Sequence, residues 1–373
     1  MSLLPALQGV LDGRDAPLVP MPAQNLRESA ALTSALRIGQ QIDDEIALVV
    51  TTSGTTGVPK GAMLTPAALI ASASASHDRL GGPGTWLLAL PAHHIAGIQV
   101  LVRSLLAGTI PAELDISQGF DPAGLPGAVE ALGSGRRYTS LVANQLAKAL
   151  ADPAAAAALA ELDAVLLGGG PAPQPVLAAA AEAGITVVRS YGSSETAGGC
   201  VYDGLPLDGV EVRIDDADAA SGIGTVVIGG STLAVGYRNP PDPDPFSQPG
   251  WFRTDDVGRF DDSGRLVVLG RSDEAISTGG LTIMPAAVEA VLGRHPAVAE
   301  CAVFGVADDR LGQRVVAAVV AAAGSTPTLA ELREFVEQSL DATAAPRELH
   351  LVDELPRRGI GKLDRRLLRE RYR

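Results

Sequence analysis

The chain has 373 residues, of which 46% are hydrophobic and 19% charged, and its net charge is −14. This composition excludes a disordered chain, and the acidic sign argues against general affinity for nucleic acid or an anionic membrane, so any phosphate site must be local. The length suits two or three domains; Cys200 and Cys301 lie 101 positions apart, which indicates neither a disulfide framework nor a zinc ribbon and fits a reducing cytoplasm.

No signal peptide is expected from Met1 to Val10, and the uncharged run from Leu80 to Val102 is broken by proline and glycine, so no membrane span is expected either. Short β-branched runs then alternate with alanine-rich stretches, a pattern of parallel strands with covering helices. Residues 46–52 predict a strand, 53–61 a glycine-rich loop, and Thr65-Pro66 the cap of a helix through Ser76. Strand and helix follow each other at 86–90 and 95–107, at 138–142 and 145–151, and at 164–167 and 175–183, with a further strand at 185–190. From about 201 to 269 short strands and turns predict a β-rich subdomain. Beyond it lie a helix at 285–292, strands at 301–306 and 315–320, a helix at 329–340, and a basic end. The last 18 residues carry eight Lys or Arg against two acids. The expected architecture is α/β: a large N-terminal domain, 1–271, of parallel sheets with covering helices plus the β-rich part, then a small α+β C-terminal domain, 272–373.

Three lysines stand among 29 basic residues, Lys60, Lys148 and Lys362, and two of them sit in motifs. Thr51-Thr52-Ser53-Gly54-Thr55-Thr56-Gly57-Val58-Pro59-Lys60-Gly61 combines glycines that admit phosphate to backbone N–H groups, hydroxyl donors and a point charge. Its spacing is not that of a Walker A loop. His77, His295 and His350 have no companions at metal-ligand spacing, so no zinc site is read, and Cys200 is assigned to packing.

This loop resembles the signature of the acyl-adenylate-forming superfamily, which includes acyl-CoA synthetases, firefly luciferase and adenylation domains. Further segments resemble that family in order: Pro91 to Gly97 with His94, Leu167-Gly168-Gly169-Gly170-Pro171, Tyr191-Gly192-Ser193-Ser194-Glu195-Thr196, Trp251 to Asp256, Gly270 to Asp273, and Pro356 to Arg365 with Lys362. The resemblance implies ATP and AMP binding by Thr52, Ser53, Gly54, Thr55, Thr56, Gly57, Lys60, Gly169, Gly170, Pro171, Ser190, Tyr191, Gly192, Ser194, Thr196, Asp256 and Arg271. It implies Mg²⁺ at Glu195, catalysis by Lys362, His94 and Glu195, a hinge at Asp273 about which the C-terminal domain turns, and a CoA tunnel at Gly279 and Gly280. Asp255 departs from the glycine usual there.

The compact length and the stretches Ser190 to Gly204 and Pro206 to Val210 most resemble the actinobacterial o-succinylbenzoate-CoA ligases of menaquinone biosynthesis. The expected substrates are then an aromatic dicarboxylate, ATP and CoA, with His94, Asn144, Ser193 and Arg137 as acyl-pocket candidates and a homodimer compatible with the chain. Alternatives are another acyl-CoA ligase, an adenylation enzyme loading a carrier protein, and a non-catalytic nucleotide-binding module. The basic tail suits the CoA 3′-phosphate, an acidic carrier helix, or plain solvation.

Overall fold

A hydroxyl followed by proline is a strong helix start, because the hydroxyl satisfies an orphan N–H and proline needs none. Thr65 Oγ1 accepts the Ala68 N–H at 3.1 Å, and the helix Pro66–Leu80 ends at Gly81, left-handed at φ 92°. The computed structural model describes residues 3–22, 26–52, 59–358 and 362–373, with the backbone alone at 26–28, 358 and 362. Two units are present: Met1–Gly170, Ala179–Arg213 and Val227–Thr254 form one, and Pro171–Ala178, Ile214–Val226 and Asp255–Arg373 the other.

The expected α/β architecture is found. A seven-stranded sheet is ordered Ala112–Glu113, Thr85–Leu88, Arg137–Val142, Ala164–Gly168, Val187–Ser193, Gly198–Tyr202, Leu205–Pro206. Its first five strands are parallel and the last two turn back antiparallel. Trp86 and Tyr138 on neighbouring strands are fully buried, with ring centroids 5.0 Å apart. A four-stranded sheet, ordered Val210–Asp215, Gly224–Gly230, Trp251–Phe260, Leu266–Arg271, supplies the β-rich part.

One expectation is corrected near the phosphate loop. The predicted strand, observed as Leu48–Thr52, does not lead through a loop straight to the helix. Lys60–Leu64 returns beside it, antiparallel with Thr52 opposite Lys60, and Gly236–Tyr237 adds a third strand. Lysine and glycine at its start disguise this strand, but the glycine is sterically required: a Cβ on Gly61 would lie 2.6 Å from Val49 Cγ1 and 2.8 Å from Leu36 Cδ2. Ala62 and Leu64 enter a core with Leu48, Val50, Leu69, Ile98 and Leu101.

In the second unit the long apolar runs are strands buried on both faces. Val298–Asp308 and Gly312–Ala321 pair antiparallel along their length. Alternate residues divide between two cores: Val303, Val315, Ala317 and Val319 meet Val288, Leu292, Leu332 and Val336 of the helices Pro285–Leu292 and Leu329–Glu337. Ala302, Phe304, Val316 and Ala318 meet Leu368 of the final helix, Arg365–Arg371.

That final helix is pinned by a mostly buried guanidinium. Arg365 Nη2 lies 2.8 Å from both carboxylate oxygens of Glu289, Nη1 lies 2.8 Å from Glu274, and Nε donates to the Val303 carbonyl. Burial pushes the Glu289 carboxyl up, the Arg365 charge opposes that shift, and the Val303 N–H at 2.7 Å is a further donor. Removing one partner of such a pair strands the other charge, at a cost of about 3 kcal/mol. Arg365→Ala is expected to speed amide hydrogen exchange in Val298–Asp308 about a hundredfold. Arg366→Ala, which breaks an exposed pair with Glu370, should leave that exchange unchanged.

Candidate functional site

In open parallel sheets ligands bind beyond the carboxyl ends of the strands, where loops and helix starts leave backbone groups exposed. Several predicted residues meet at that edge. Thr85–Leu88 leads through Pro91 to His94, which precedes the helix Ile95–Leu106 and whose ring lies 4.3 Å from that of His93. Arg137–Val142 leads to Asn144 in the first turn of Ala143–Leu150, and Gln145 Nε2 of that helix donates to the Ala89 carbonyl at 2.9 Å, tying two strand ends together. Ala164–Gly168 leads to Gly169, which is left-handed at φ 82°, then to Gly170 and Pro171. Val187–Ser193 contributes Ser190, Tyr191 and Gly192.

Val187–Ser193 and Gly198–Tyr202 form a hairpin whose tip is the short 3-10 turn Ser194–Thr196. The hairpin depends on bare backbone: a Cβ on Gly192 would lie 2.1 Å from the Gly198 carbonyl oxygen, and one on Gly199 would lie 1.9 Å from Ser190 Oγ. The Thr196 hydroxyl is engaged within the turn, donating to Gly198 O at 2.7 Å and accepting the Ser193 N–H at 2.9 Å. Ser193 Oγ is buried and has no hydrogen-bond partner among the described residues. Burial pushes the Cys200 thiol up to about 12, which keeps it an inert packing group.

Glu195 is only 7% exposed. Its Oε1 accepts from Tyr237 Oη at 2.5 Å, and its carbonyl accepts the Ala234 N–H at 2.8 Å. Among the described residues no cation pairs with it, so a buried carboxylate is held by one neutral donor. A buried carboxyl group with one hydroxyl donor and no paired cation suits a hard divalent cation whose other ligands are water and phosphate oxygens. Lys60 Nζ stands 5.2 Å from the centroid of the same Tyr237 ring. Thr52 lies directly across the ladder from Lys60. Ser53, Gly54, Thr55, Thr56 and Gly57 lie outside the described residues, as does the side chain of Lys362; the Lys362 backbone pairs with Arg358 in a short hairpin.

Arg103, in the helix that His94 precedes, was not among the predicted site residues. It is 3% exposed, its Nη2 donates to Tyr202 Oη at 3.2 Å, and its guanidinium carbon lies 4.7 Å from the Trp86 ring. No carboxylate pairs with it among the described residues, and its Nε has no partner there. His77 registers the surrounding field: burial first, then the Arg103 charge, depress its pKa. Arg137, the predicted pocket cation, instead begins its strand at the far end from Asn144, where its side chain pairs with Glu161 at 3.3 Å and its N–H donates to Asp163. An arginine nine residues after His94 in an otherwise uncharged helix is the available signal for Arg103.

In the second unit Asp256 and Arg271 are ladder partners. The Arg271 guanidinium contacts Asp255 at 2.9 Å and both carboxylate oxygens of Asp273 at 2.9 Å, so the aspartate that replaces a glycine is an ion-pair partner. Gly279 and Gly280, at φ 59° and 82°, form the two-residue turn between Ile276–Thr278 and Leu281–Ile283, where both central residues need positive φ.

The model of the AMP-binding enzyme family matches residues 12–238, and that of the AMP-binding enzyme C-terminal domain matches residues 287–362. A probable 2-succinylbenzoate–CoA ligase of Mycobacterium tuberculosis is 67% identical over 99% of this chain and 95% of its own length. The o-succinylbenzoate CoA synthetase of Bacillus subtilis, solved in complex with the acyl-adenylate intermediate OSB-AMP, superposes with a TM-score of 0.75 at 32% identity, covering 87% of this chain and 69% of that one. The same enzyme in complex with ATP and magnesium ion gives 0.74 at 31% identity over 89% of this chain and 71% of that one. The strand-end edge, the hairpin with its buried glutamate and these likenesses over nearly the whole length agree: the chain belongs to the AMP-binding enzyme family.

Proposed function

We propose that the protein is an ATP-dependent o-succinylbenzoate-CoA ligase serving menaquinone biosynthesis, and the observation that carries this is the 67% identity to the M. tuberculosis ligase across 99% of the chain. A substrate carboxylate oxygen attacks the α-phosphorus of ATP and the bond to pyrophosphate breaks; the CoA thiol then attacks the acyl carbonyl and AMP leaves. The first step brings anion to anion, so positive charge must stand where negative charge develops. Magnesium, held through Glu195 when bound, neutralises phosphate oxygens.

The chain's own residues do the rest. Lys60 and the hydroxyls of the phosphate loop hold the triphosphate, Asp256 accepts from the ribose hydroxyls, and Arg271 donates to the same sugar. Lys362 supplies charge at the reacting carboxylate during adenylation, and the C-terminal domain turns about Asp273 to bring Gly279 and Gly280 to the pantetheine arm. His94 borders the acyl pocket with Asn144 and Ser193. The second carboxylate of the substrate needs a cation, and Arg103, like Arg137, stands away from the strand-end edge, on Trp86, whose ladder partner Tyr138 follows Arg137. ATP and CoA as substrates and two free cysteines favour a cytoplasmic enzyme. Among the described residues no helix is long and apolar enough to cross a membrane.

The direct test is ATP-dependent pyrophosphate release with o-succinylbenzoate, benzoate and medium-chain fatty acids, each with and without CoA. Turnover confined to o-succinylbenzoate and completed by CoA is expected; turnover with another acid moves the substrate assignment, and silence with every acid rejects the enzyme. Lys362→Ala should abolish adenylate formation yet largely spare thioester formation from presynthesised acyl-adenylate, and equal loss of both half-reactions removes the assigned role.

A further inference from the structure

We propose that Tyr237 is a positioning residue for adenylation, its hydroxyl fixing the Glu195 carboxylate and its ring seating the Lys60 ammonium, so that metal and lysine meet the triphosphate in one fixed relation. The inference rests on the assignment of Glu195 and Lys60 given above. Tyr237 stands opposite Ala62 in the ladder, and Lys60 and Ala62, two apart on one strand, share a face. The Tyr237 side chain therefore reaches Lys60 diagonally, 5.2 Å from ammonium to ring centroid. Its hydroxyl donates to Glu195 Oε1 at 2.5 Å, and among the described residues the other carboxylate oxygen is left for a ligand.

The flanking chain makes the same two attachments. Ala234 donates to the Glu195 carbonyl at 2.8 Å, and Val235 donates to Met63 O at 3.0 Å. The Asn239 side chain brackets Lys60 itself: its Nδ2 donates to the Pro59 carbonyl at 2.7 Å and its Oδ1 accepts the Gly61 N–H at 3.1 Å. Residues 234–239 thus grip both the turn that carries Glu195 and the strand that begins with Lys60. Phe246 packs edge-on to the Tyr237 ring at 5.4 Å, which limits the ring's rotation.

Groups that orient a metal-binding carboxylate typically change metal affinity 10- to 100-fold when lost. The test measures Mn²⁺ binding by electron paramagnetic resonance in the presence of α,β-methylene-ATP, whose α–β link cannot break to transfer AMP, alongside binding of the metal-free nucleotide. Tyr237→Phe keeps the ring and loses the hydroxyl, and it should weaken Mn²⁺ about tenfold with metal-free nucleotide binding unchanged. Tyr237→Leu should weaken both. Glu195→Gln serves as the reference: if it weakens Mn²⁺ and Tyr237→Phe does not, the role of Tyr237 is overturned and the site stands. Unchanged Mn²⁺ binding in both variants overturns the assignment of Glu195 together with the proposal. Equal weakening of nucleotide binding with and without metal in Tyr237→Phe marks a merely structural tyrosine and also overturns it.

Discussion

A carboxylate buried at the tip of a hairpin is the constraint around which the first unit is arranged. Glu195 is taken out of water, and the turn that achieves this is strained: Ala197, fully buried, sits in the left-handed region at φ 50°. That conformation costs a residue with a Cβ roughly 1–2 kcal/mol. The surroundings over-determine it. The Ala197 carbonyl accepts Ser72 Oγ at 2.9 Å from one helix and Gln99 Nε2 at 2.7 Å from the next, and Gly192 lets the hairpin strands approach where no side chain fits. Two helices, a hairpin and the 234–239 segment therefore converge on one turn, and none is replaceable by a generic connection.

The phosphate-loop strand lies in a separate sheet, which joins that convergence through Tyr237. As the middle strand of three, Lys60–Leu64 is held on both edges, by Leu48–Thr52 and by Gly236–Tyr237. The flexible charge of a lysine gains a defined position from its backbone partners and from the ring beneath it, and the chain spends a rare residue type there.

Much of this was legible in the sequence because the chemistry restricts residue type. Glycines at strand ends, a hydroxyl-rich loop and a glutamate after Tyr191-Gly192 are readable without coordinates, and so are strands buried on both faces, as continuous apolar runs. What escaped is what distance in the chain conceals. Tyr237 reaches Glu195 across 42 positions and Asn239 reaches Pro59 across 180, and neither pairing leaves a local pattern. Arg137 and Arg103 show the same limit for charge: sequence shows a cation on a strand or helix, whereas only register shows that Arg137 begins its strand away from the strand-end edge and that Arg103 is buried. The strand at Lys60–Leu64 was hidden by Lys and Gly, which read as loop until Gly61 is seen against Val49 and Leu36.

The basic C-terminus makes the point in reverse, since a concentration of positive charge reads as a docking surface. In the fold several of those charges are consumed internally: Arg365 by Glu274 and Glu289, Arg357 by Glu300 at 2.6 Å, and Arg366 by Glu370. Arg365 lies three residues beyond Lys362, and its buried fork fixes the start of the final helix against Val303. Under the role proposed for Lys362, delivering its charge to a reacting carboxylate calls for a backbone anchored nearby, since a lysine side chain offers four rotatable bonds and little direction. The arginines of this segment are accordingly read as scaffold for one lysine before they are read as a surface for a partner, and the local excess of charge follows from the anchoring as much as from any ligand.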